Sequence, residues 1–342
     1  MPALRTSFRP CDSLPVSRRA CVAAAVAWAL GLCAATGVQA QSAPYPDHPV
    51  TLIVPYPAGG ANDAIGRLVA QKLGEALNQS VVVDNRPGAG TTIGAGMVAK
   101  AAPNGYTLLL GSLASHAVSP QLLPGVTYDA RKDFAPIGLI GVAPTIATVA
   151  MDSPYTTLAQ LVETARRKPG EVMYGSSGNG SPLHLAGELF SQASGTKMTH
   201  VPYKGGNAHT MDLMGGRLSV IFDTTTSAMP LIRGGKLRPI AVAAPARLAE
   251  LPNVPTFAEA GYPDFAVNAW YALYAPARTP APIVERLSAE LGKAMMSPDV
   301  IDKLKGFAVT PAYGTPQELA AFTQTEYARY GKVIQRADIR AD

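Results

Sequence analysis

The chain has 342 residues, of which 47% are hydrophobic and 15% are charged, and it carries a formal net charge of +5. A chain of this length buries enough apolar surface to fold without disulfides. It has no long basic run with interleaved aromatic residues, which argues against nucleic acid as a partner. Its five histidines lack the spacing of metal ligands, so neither a metal site nor a cofactor is expected.

Residues 1–40 have the composition of an export signal. Four arginines precede an apolar stretch at residues 20–35, which is too short for a membrane span, and residues 38–40 offer a small-residue cleavage site. Twin arginines at 18–19 and a cysteine at 33 leave the twin-arginine and lipoprotein routes open. Cleavage near Ala40 removes all three cysteines, four arginines and one aspartate, which leaves a net charge of about +2. We therefore expect a periplasmic protein without disulfides or thiolate chemistry.

Apolar runs alternate with helical patterns from residue 50 onwards. Strands are predicted at Val50–Val54, Val81–Asp84, Tyr106–Leu110, Ile137–Val149 (one or two strands, interrupted at Pro144), Val172–Gly175, Leu218–Asp223 and Leu237–Ala243. Helices are predicted at 62–77, near 92–101, after Thr157, from Ser181, after Pro280 and after Thr315. The alternation is typical of an α/β fold with mainly parallel, buried strands, and the length favours two lobes.

The loop from Tyr56 to Asp63 joins the first strand to the first helix and is the most informative stretch of the sequence. Residues 58–60 offer three consecutive backbone N–H groups, and Asn62 or Asp63 is expected as the helix N-cap. The positive end of the helix dipole meets unpaired N–H groups here, so the loop is a candidate anion site. The alternative is an ordinary turn that uses glycine for its geometry alone.

A second loop of the same kind runs from Gly175 to Pro182, again between a strand and a helix. Ser181 is expected to be the N-cap, with Pro182 at the first helical position. Ser176 and Ser177, together with the glycine amides, would then remain available to a ligand, unless the loop is simply a solvated turn. Two such loops in one chain indicate an anion site more strongly than either loop alone.

Two further groups carry charge near predicted strand ends. Lys204 would face either an anionic ligand or solvent. Asp223 ends an apolar strand, where open α/β sheets bind ligands, and would either accept from a ligand amine or hydroxyl or cap the helix that follows.

Enzymatic motifs do not match the chain well. The glycines at residues 88–94 resemble a dinucleotide fingerprint, but the third glycine is one residue too far along and no acidic residue follows at the usual distance. An exported hydrolase that pairs Ser177 or Ser112 with His184 or His116 remains an alternative to a binding protein.

Several segments resemble the Bug family, the extracytoplasmic solute receptors of tripartite tricarboxylate transporters. The resemblance runs from about residue 45 to the C-terminus and is carried by Pro49–Gly60, Asp84–Gly90, Pro103–Leu108, Tyr174–Ser181, Val201–Gly205 and Val254–Thr256. It implies a two-lobed periplasmic-binding-protein fold of type II character, with discontinuous lobes, a hinge and a cleft between the lobes. Lobe 1 would comprise residues 45–146 and 270–342, and lobe 2 residues 147–269.

The resemblance also implies a function. Family members bind small carboxylates such as dicarboxylates, tricarboxylates, acidic amino acids or aromatic acids, and they deliver them to membrane transporter subunits. A receptor that serves a sensor kinase is the alternative, and a monomer is expected. With the two loops considered above, the predicted ligand-binding residues are Tyr56, Ala58, Gly59, Gly60, Asn62, Asp63, Ser112, His116, Ser176, Ser177, Gly178, Asn179, Ser181, Tyr203, Lys204, Asp223 and Trp270.

Overall fold

The computed structural model describes residues 45–203, 208–265, 267–336 and 339. The predicted export signal and Lys204 lie outside these described residues, as does the predicted cleavage site. Among the helices that are described, none combines the length and the apolar character needed to cross a membrane.

The main sheet has eight strands, and the first group of them is the six that lie side by side in the order β10-β4-β9-β3-β1-β2. The strands are β1 (Val50–Val54), β2 (Val81–Asn85), β3 (Thr107–Ser112), β4 (Phe134–Ala150), β9 (Asn268–Pro276) and β10 (Thr310–Gly314). The pairs β1–β2 and β1–β3 are parallel, whereas β3–β9, β9–β4 and β4–β10 are antiparallel. The expectation of mainly parallel strands is therefore wrong for this half of the sheet.

Strand β4 is unusually long and changes partners along its length. Up to Pro144 it pairs with β9, and from Thr145 onwards it pairs with β7 (Ile221–Thr224) and β8 (Leu237–Val242). Pro144 lies at this change of partner, where a missing backbone N–H costs the ladder little. The run at 137–149 is therefore one strand, and it passes from the first group of strands into a second.

The second group of strands is completed by β5 (Met173–Ser176) and β6 (Thr199–Pro202), which pair in parallel. Tyr174 in β5 also bridges in parallel to Val220, immediately before β7. The ends of β5 and β7 therefore lie close together. The chain then returns to the first group of strands through β9. Because β4 leads out of that group and β9 leads back into it, the two strands run antiparallel.

The described helices are α1 (Ala61–Leu77), α2 (Thr92–Ala99), α3 (Ser119–Leu122), α4 (Leu158–Arg167), α5 (Pro182–Ser194), α6 (Ala208–Met214), α7 (Thr225–Arg233), α8 (Ala281–Met295), α9 (Pro298–Gly306) and α10 (Pro316–Arg336). The predicted capping box of α4 is confirmed, because Thr157 Oγ1 accepts from the Gln160 N–H and Gln160 Oε1 accepts from the Thr157 N–H. At α10, Thr315 and Glu318 exchange the same pair of hydrogen bonds.

A continuous apolar core joins residues from both groups of strands. Ile53, Phe134 and Trp270 from the first group and Phe190 and Phe222 from the second belong to one buried cluster. Each side chain of this size stabilises the fold by about 1.5–3 kcal/mol on burial. The core therefore holds the strand ends, and the loops that follow them, in fixed positions.

Candidate functional site

A cavity of about 790 Å³ lies where the connections that lead into α1, α2, α5 and α7 converge with the segment that follows β3. Its wall includes Gly60 and Asn62 at the start of α1, Thr91 before α2, Ser181 and Leu183 at the start of α5, and Thr224, Thr226 and Ser227 at the start of α7. Each helix directs the positive end of its dipole and its unpaired N–H groups towards its first turn. The cavity is therefore suited to an anion.

The cavity brings together nine of the predicted site residues. They come from both predicted loops, from the end of β3, from the end of β7 and from β9: Tyr56, Gly60, Asn62, Ser112, Ser177, Asn179, Ser181, Asp223 and Trp270. Among the described lining residues Asp223 is the one ionisable carboxyl, and lysine and arginine are absent. Hydroxyl and amide groups therefore provide most of the polar wall.

Seven predicted residues are described but do not line the cavity: Ala58, Gly59, Asp63, His116, Ser176, Gly178 and Tyr203. The eighth, Lys204, lies outside the described residues. Most of the seven are occupied in holding the loops and the wall in place, as their hydrogen bonds show. Tyr203, for example, donates its hydroxyl to Asp212 at 2.6 Å.

The first loop is held by Asp63. Its carboxylate accepts from the Gly59 N–H at 2.9 Å, from Arg67 Nε at 2.9 Å and from Asn85 Nδ2 at 3.0 Å. Burial alone would raise the pKa of Asp63, but the hydrogen bonds from Arg67, Gly59 and Asn85 outweigh it and lower the pKa. The predicted N-cap is wrong, because Gly60 occupies that position without a side-chain hydrogen bond. Asp63 therefore shapes the loop, and the Gly59 N–H is not directed at a ligand.

Tyr56 and Ser112 form a pair of hydroxyl groups at the cavity wall, with 2.7 Å between their oxygens. Burial raises the pKa of Tyr56 to about 12, with the hydrogen bond to Ser112 acting in the opposite direction. Tyr56 therefore remains a neutral phenol at physiological pH. In this state one hydroxyl of the pair can donate to the other, and the hydroxyl that accepts can in turn donate into the cavity.

His116 is packed behind the wall and does not act on Ser112. Its ring stacks on Tyr274 with 4.0 Å between centroids, and its Nδ1 lies 2.9 Å from Ser115 Oγ. Complete burial lowers the pKa of His116 to about 3, so the ring is neutral. A Ser112–His116 dyad is therefore not formed, and His116 supports the aromatic packing under β3 and β9.

The second loop is stabilised by its own polar groups. Ser176 Oγ donates to Gly178 O at 3.0 Å and accepts from the Gly178 N–H at 3.1 Å, and it also contacts His200 Nε2 at 2.6 Å. Ser181 caps α5 by accepting from the His184 N–H at 3.3 Å, which confirms the predicted N-cap. Ser177, Asn179 and Ser181 are left on the cavity side of the loop.

Asp223 lies at the C-terminal end of β7 and faces the cavity beside Trp270 and Tyr271 of β9. It is 9% exposed and accepts from the Thr224 N–H at 2.7 Å. Burial raises the pKa of Asp223 to about 6, although the hydrogen bonds from Thr224 and Ser227 favour its charged form. The helix that follows is capped by Thr224 rather than by Asp223.

The sequence analysis missed three parts of the wall. Leu113, Ala114, Ser119, Leu123 and Pro124 line it from the segment after β3. Thr224, Thr226 and Ser227 line it from α7, and the segment Ala89–Thr91 lines it from the turn before α2. In that turn φ is +42° at Ala89, +57° at Gly90 and +81° at Thr91. Left-handed conformations at residues other than glycine cost energy and are concentrated at functional sites. The sequence did carry a signal for the segments before α2 and α7, since each repeats the pattern of the two predicted loops: a strand leads through a turn into a helix.

Comparison with known proteins agrees with the geometry. The family described as "Tripartite tricarboxylate transporter family receptor" matches residues 65–339. Protein BugT of Bordetella pertussis is 35% identical over 292 residues, which cover 85% of this chain and 90% of BugT.

Two solved structures are also similar to the chain. R. palustris Rpa4515 with adipate is 36% identical with a TM-score of 0.79, and the match covers 87% of this chain and 100% of that one. MatC (Rpa3494) from Rhodopseudomonas palustris with bound malate is 31% identical with a TM-score of 0.74, and the match covers 85% and 100%. These similarities confirm the two-lobed fold expected from the sequence, and they are to receptors rather than to enzymes. The chain belongs to the receptor family of the tripartite tricarboxylate transporters.

Proposed function

We propose that the protein binds a small organic carboxylate in the cavity at the four helix starts and presents it to membrane subunits of a tripartite tricarboxylate transporter. The convergence of these helix starts carries the proposal, because each favours a negative group at the same place. The ligands of the two similar structures, adipate and malate, belong to this chemical class. Receptors of this family are periplasmic, and the proposed cleavage near Ala40 would release this one into that compartment.

The carboxylate would be held by neutral donors. Tyr56, Ser177 and Ser181 place hydroxyls on the wall, and Asn62 places an amide there. A hydrogen bond to a charged group contributes about 1.5–3 kcal/mol. Three or four of them therefore supply the roughly 8 kcal/mol of micromolar binding, before the cost of lobe closure is subtracted.

The proposed lobes follow the change of partners in β4. Residues 45–146 with 270–342 would form lobe 1, and residues 147–269 lobe 2; the exchange of β9 for β7 and β8 at Pro144 supports a boundary in this region. Tyr56 and Ser112 would then face Ser177 and Asp223 across the cleft. Closure of the lobes around the ligand would exclude water and strengthen each hydrogen bond.

Asp223 is expected to select among carboxylates. At neutral pH it is mainly ionised, because its pKa is about 6, and it repels a second bare carboxylate nearby. It accepts readily from a hydroxyl or an amine. We therefore propose a carboxylate that carries such a donor as the preferred ligand class. None of the similar proteins supports the hydrolase or the signalling alternative.

Replacing Ser177 by alanine, or Tyr56 by phenylalanine, is expected to weaken carboxylate binding about tenfold or more, since each change removes one charge-assisted donor. Isothermal titration calorimetry with malate, adipate, glutamate, citrate and benzoate measures this for the wild type and both variants. Ser80→Ala, which removes an exposed hydroxyl between α1 and β2, is the matched control. A wild type that binds no member of the panel, or variants that bind as tightly as the control, would contradict the proposed site.

A further inference from the structure

Two stacked imidazole rings contact the second loop, whose residues Ser177 and Asn179 line the cavity. His184 lies in the first turn of α5 and His200 in β6, and their ring centroids are 3.7 Å apart with 5° between the planes. His184 is 8% exposed, and neither ring lines the cavity. The described site therefore does not use them directly, although both contact the loop.

His200 holds the first part of the loop through Ser176. The Ser176 hydroxyl has one proton, and its donation to Gly178 O leaves its oxygen to accept from His200 Nε2 at 2.6 Å. The same oxygen accepts from the Gly178 N–H. The hydrogen bonds that link His200, Ser176 and Gly178 therefore determine how the loop turns away from the end of β5.

His184 holds the last part of the loop. Its Nδ1 accepts from the Gly180 N–H at 3.0 Å, so the proton of the neutral ring lies on Nε2. That Nε2 faces Glu188 Oε1 at 4.0 Å, and the same carboxylate accepts from the Tyr174 hydroxyl at 2.5 Å. The tautomer of His184 is thus defined on both sides of the ring.

We propose that His184 is a positioning residue for ligand binding: by accepting from the Gly180 N–H it keeps Ser177, Asn179 and Ser181 facing the cavity, with His200 holding the other end of the loop. This inference rests on the proposed function of the cavity. The positive φ of +131° at Gly178 and +71° at Gly180 gives the loop a backbone shape that its neighbours must maintain. His184 and His200 provide that support from one stacked unit.

The test compares two substitutions of His184 that have similar size and shape but differ in polarity. His184→Asn places an amide oxygen where Nδ1 lies and keeps an acceptor that does not titrate, whereas His184→Leu has no acceptor. We expect His184→Leu to bind the best carboxylate of the wild type at least tenfold more weakly, and His184→Asn to bind it within about threefold of the wild type.

The control is His48→Asn, which changes an exposed imidazole that stacks on Tyr106 far along the chain from the loop. Hydrogen exchange at residues 176–181 of the ligand-free protein gives a readout without any ligand: it should be faster in His184→Leu and unchanged in His184→Asn. Circular dichroism checks folding, and if His184→Leu does not fold, His184→Ala, which also lacks an acceptor, replaces it.

The proposal is overturned if His184→Leu binds and exchanges like the wild type, or if His184→Asn loses as much affinity as His184→Leu. A wild type that binds no carboxylate would instead count against the proposed function. In that case the exchange rates still determine whether His184 positions the loop.

Discussion

Gly180→Ala is expected to weaken carboxylate binding by about ten- to a hundredfold. Gly180 lies in the second loop with φ at +71°, and a Cβ added there would lie 1.8 Å from Leu122 Cδ2 at the end of α3. The two residues belong to different proposed lobes, so the side chain of Leu122 or the loop must move away. Overpacking of this kind costs about 1–3 kcal/mol, and each 1.4 kcal/mol is a factor of ten in affinity.

The matched control for Gly180→Ala is Gly195→Ala. Gly195 also has a left-handed φ, +61°, at the C-terminus of α5, but a Cβ there would meet nothing within 4 Å. Both variants therefore carry the same backbone strain, and the difference between their affinities, measured by calorimetry, isolates the contact with Leu122. Adding Leu122→Ala to Gly180→Ala should recover most of the loss. Equal affinities of the two glycine variants would show that the contact does not limit closure.

The free energy of unfolding is expected to decrease by about 3 kcal/mol through Asp223 as the pH rises from about 4 to above 6. The pKa of Asp223 is about 6 in the folded protein against an ordinary value of 3.8. As pH rises through this window, the unfolded chain releases the proton first, which stabilises the unfolded state. The stabilisation that protonated Asp223 contributes is complete below the pKa of Asp223 in the unfolded chain. It is lost as the pH rises through the pKa of Asp223 in the folded protein.

Asp223→Asn removes this proton equilibrium and retains an oxygen for the Thr224 N–H. The variant should therefore lack the Asp223 part of the pH dependence, and its advantage over the wild type should grow by about 3 kcal/mol between pH 4 and pH 7.5. Urea unfolding of the ligand-free proteins at several pH values measures this difference. Asp264→Asn, at an exposed aspartate, is the control. Parallel pH profiles for wild type and Asp223→Asn would contradict the raised pKa.

Much of the secondary structure could be predicted because it is encoded locally. The strand at Val50–Val54, the N-cap at Ser181 and the capping box at Thr157 depend on residues within one turn or one short run. The direction of strands could not be predicted in the same way. Strand β9 was not predicted at all. A buried antiparallel strand such as β4 has the same continuous apolar pattern as a parallel one, so its direction depends on the path of the chain.

The candidate site shows a similar division. The two loops after β1 and β5 were predicted from the change of a strand pattern into a helix pattern, and both supply residues to the cavity. Which N–H groups face the cavity depends on their hydrogen-bond partners. The Gly59 N–H donates to Asp63, which also accepts from Asn85, and the Gly180 N–H donates to His184. Such pairings are set by tertiary structure, and spacing along the chain does not reveal them.

The continuous strand β4 has a mechanical consequence for the two lobes. Its ladder with β9 on one side of Pro144 and with β7 and β8 on the other side extends through residues 134–150, with shifts of register between 136 and 138, between 139 and 141 and between 147 and 148. An extended chain is hard to stretch, but β-strands accommodate twist over a wide range. Opening and closing would therefore be a rotation of the proposed lobes about this shared strand. The separation of the lobes would stay nearly constant beside the strand, and the cleft would widen mainly at its outer edge.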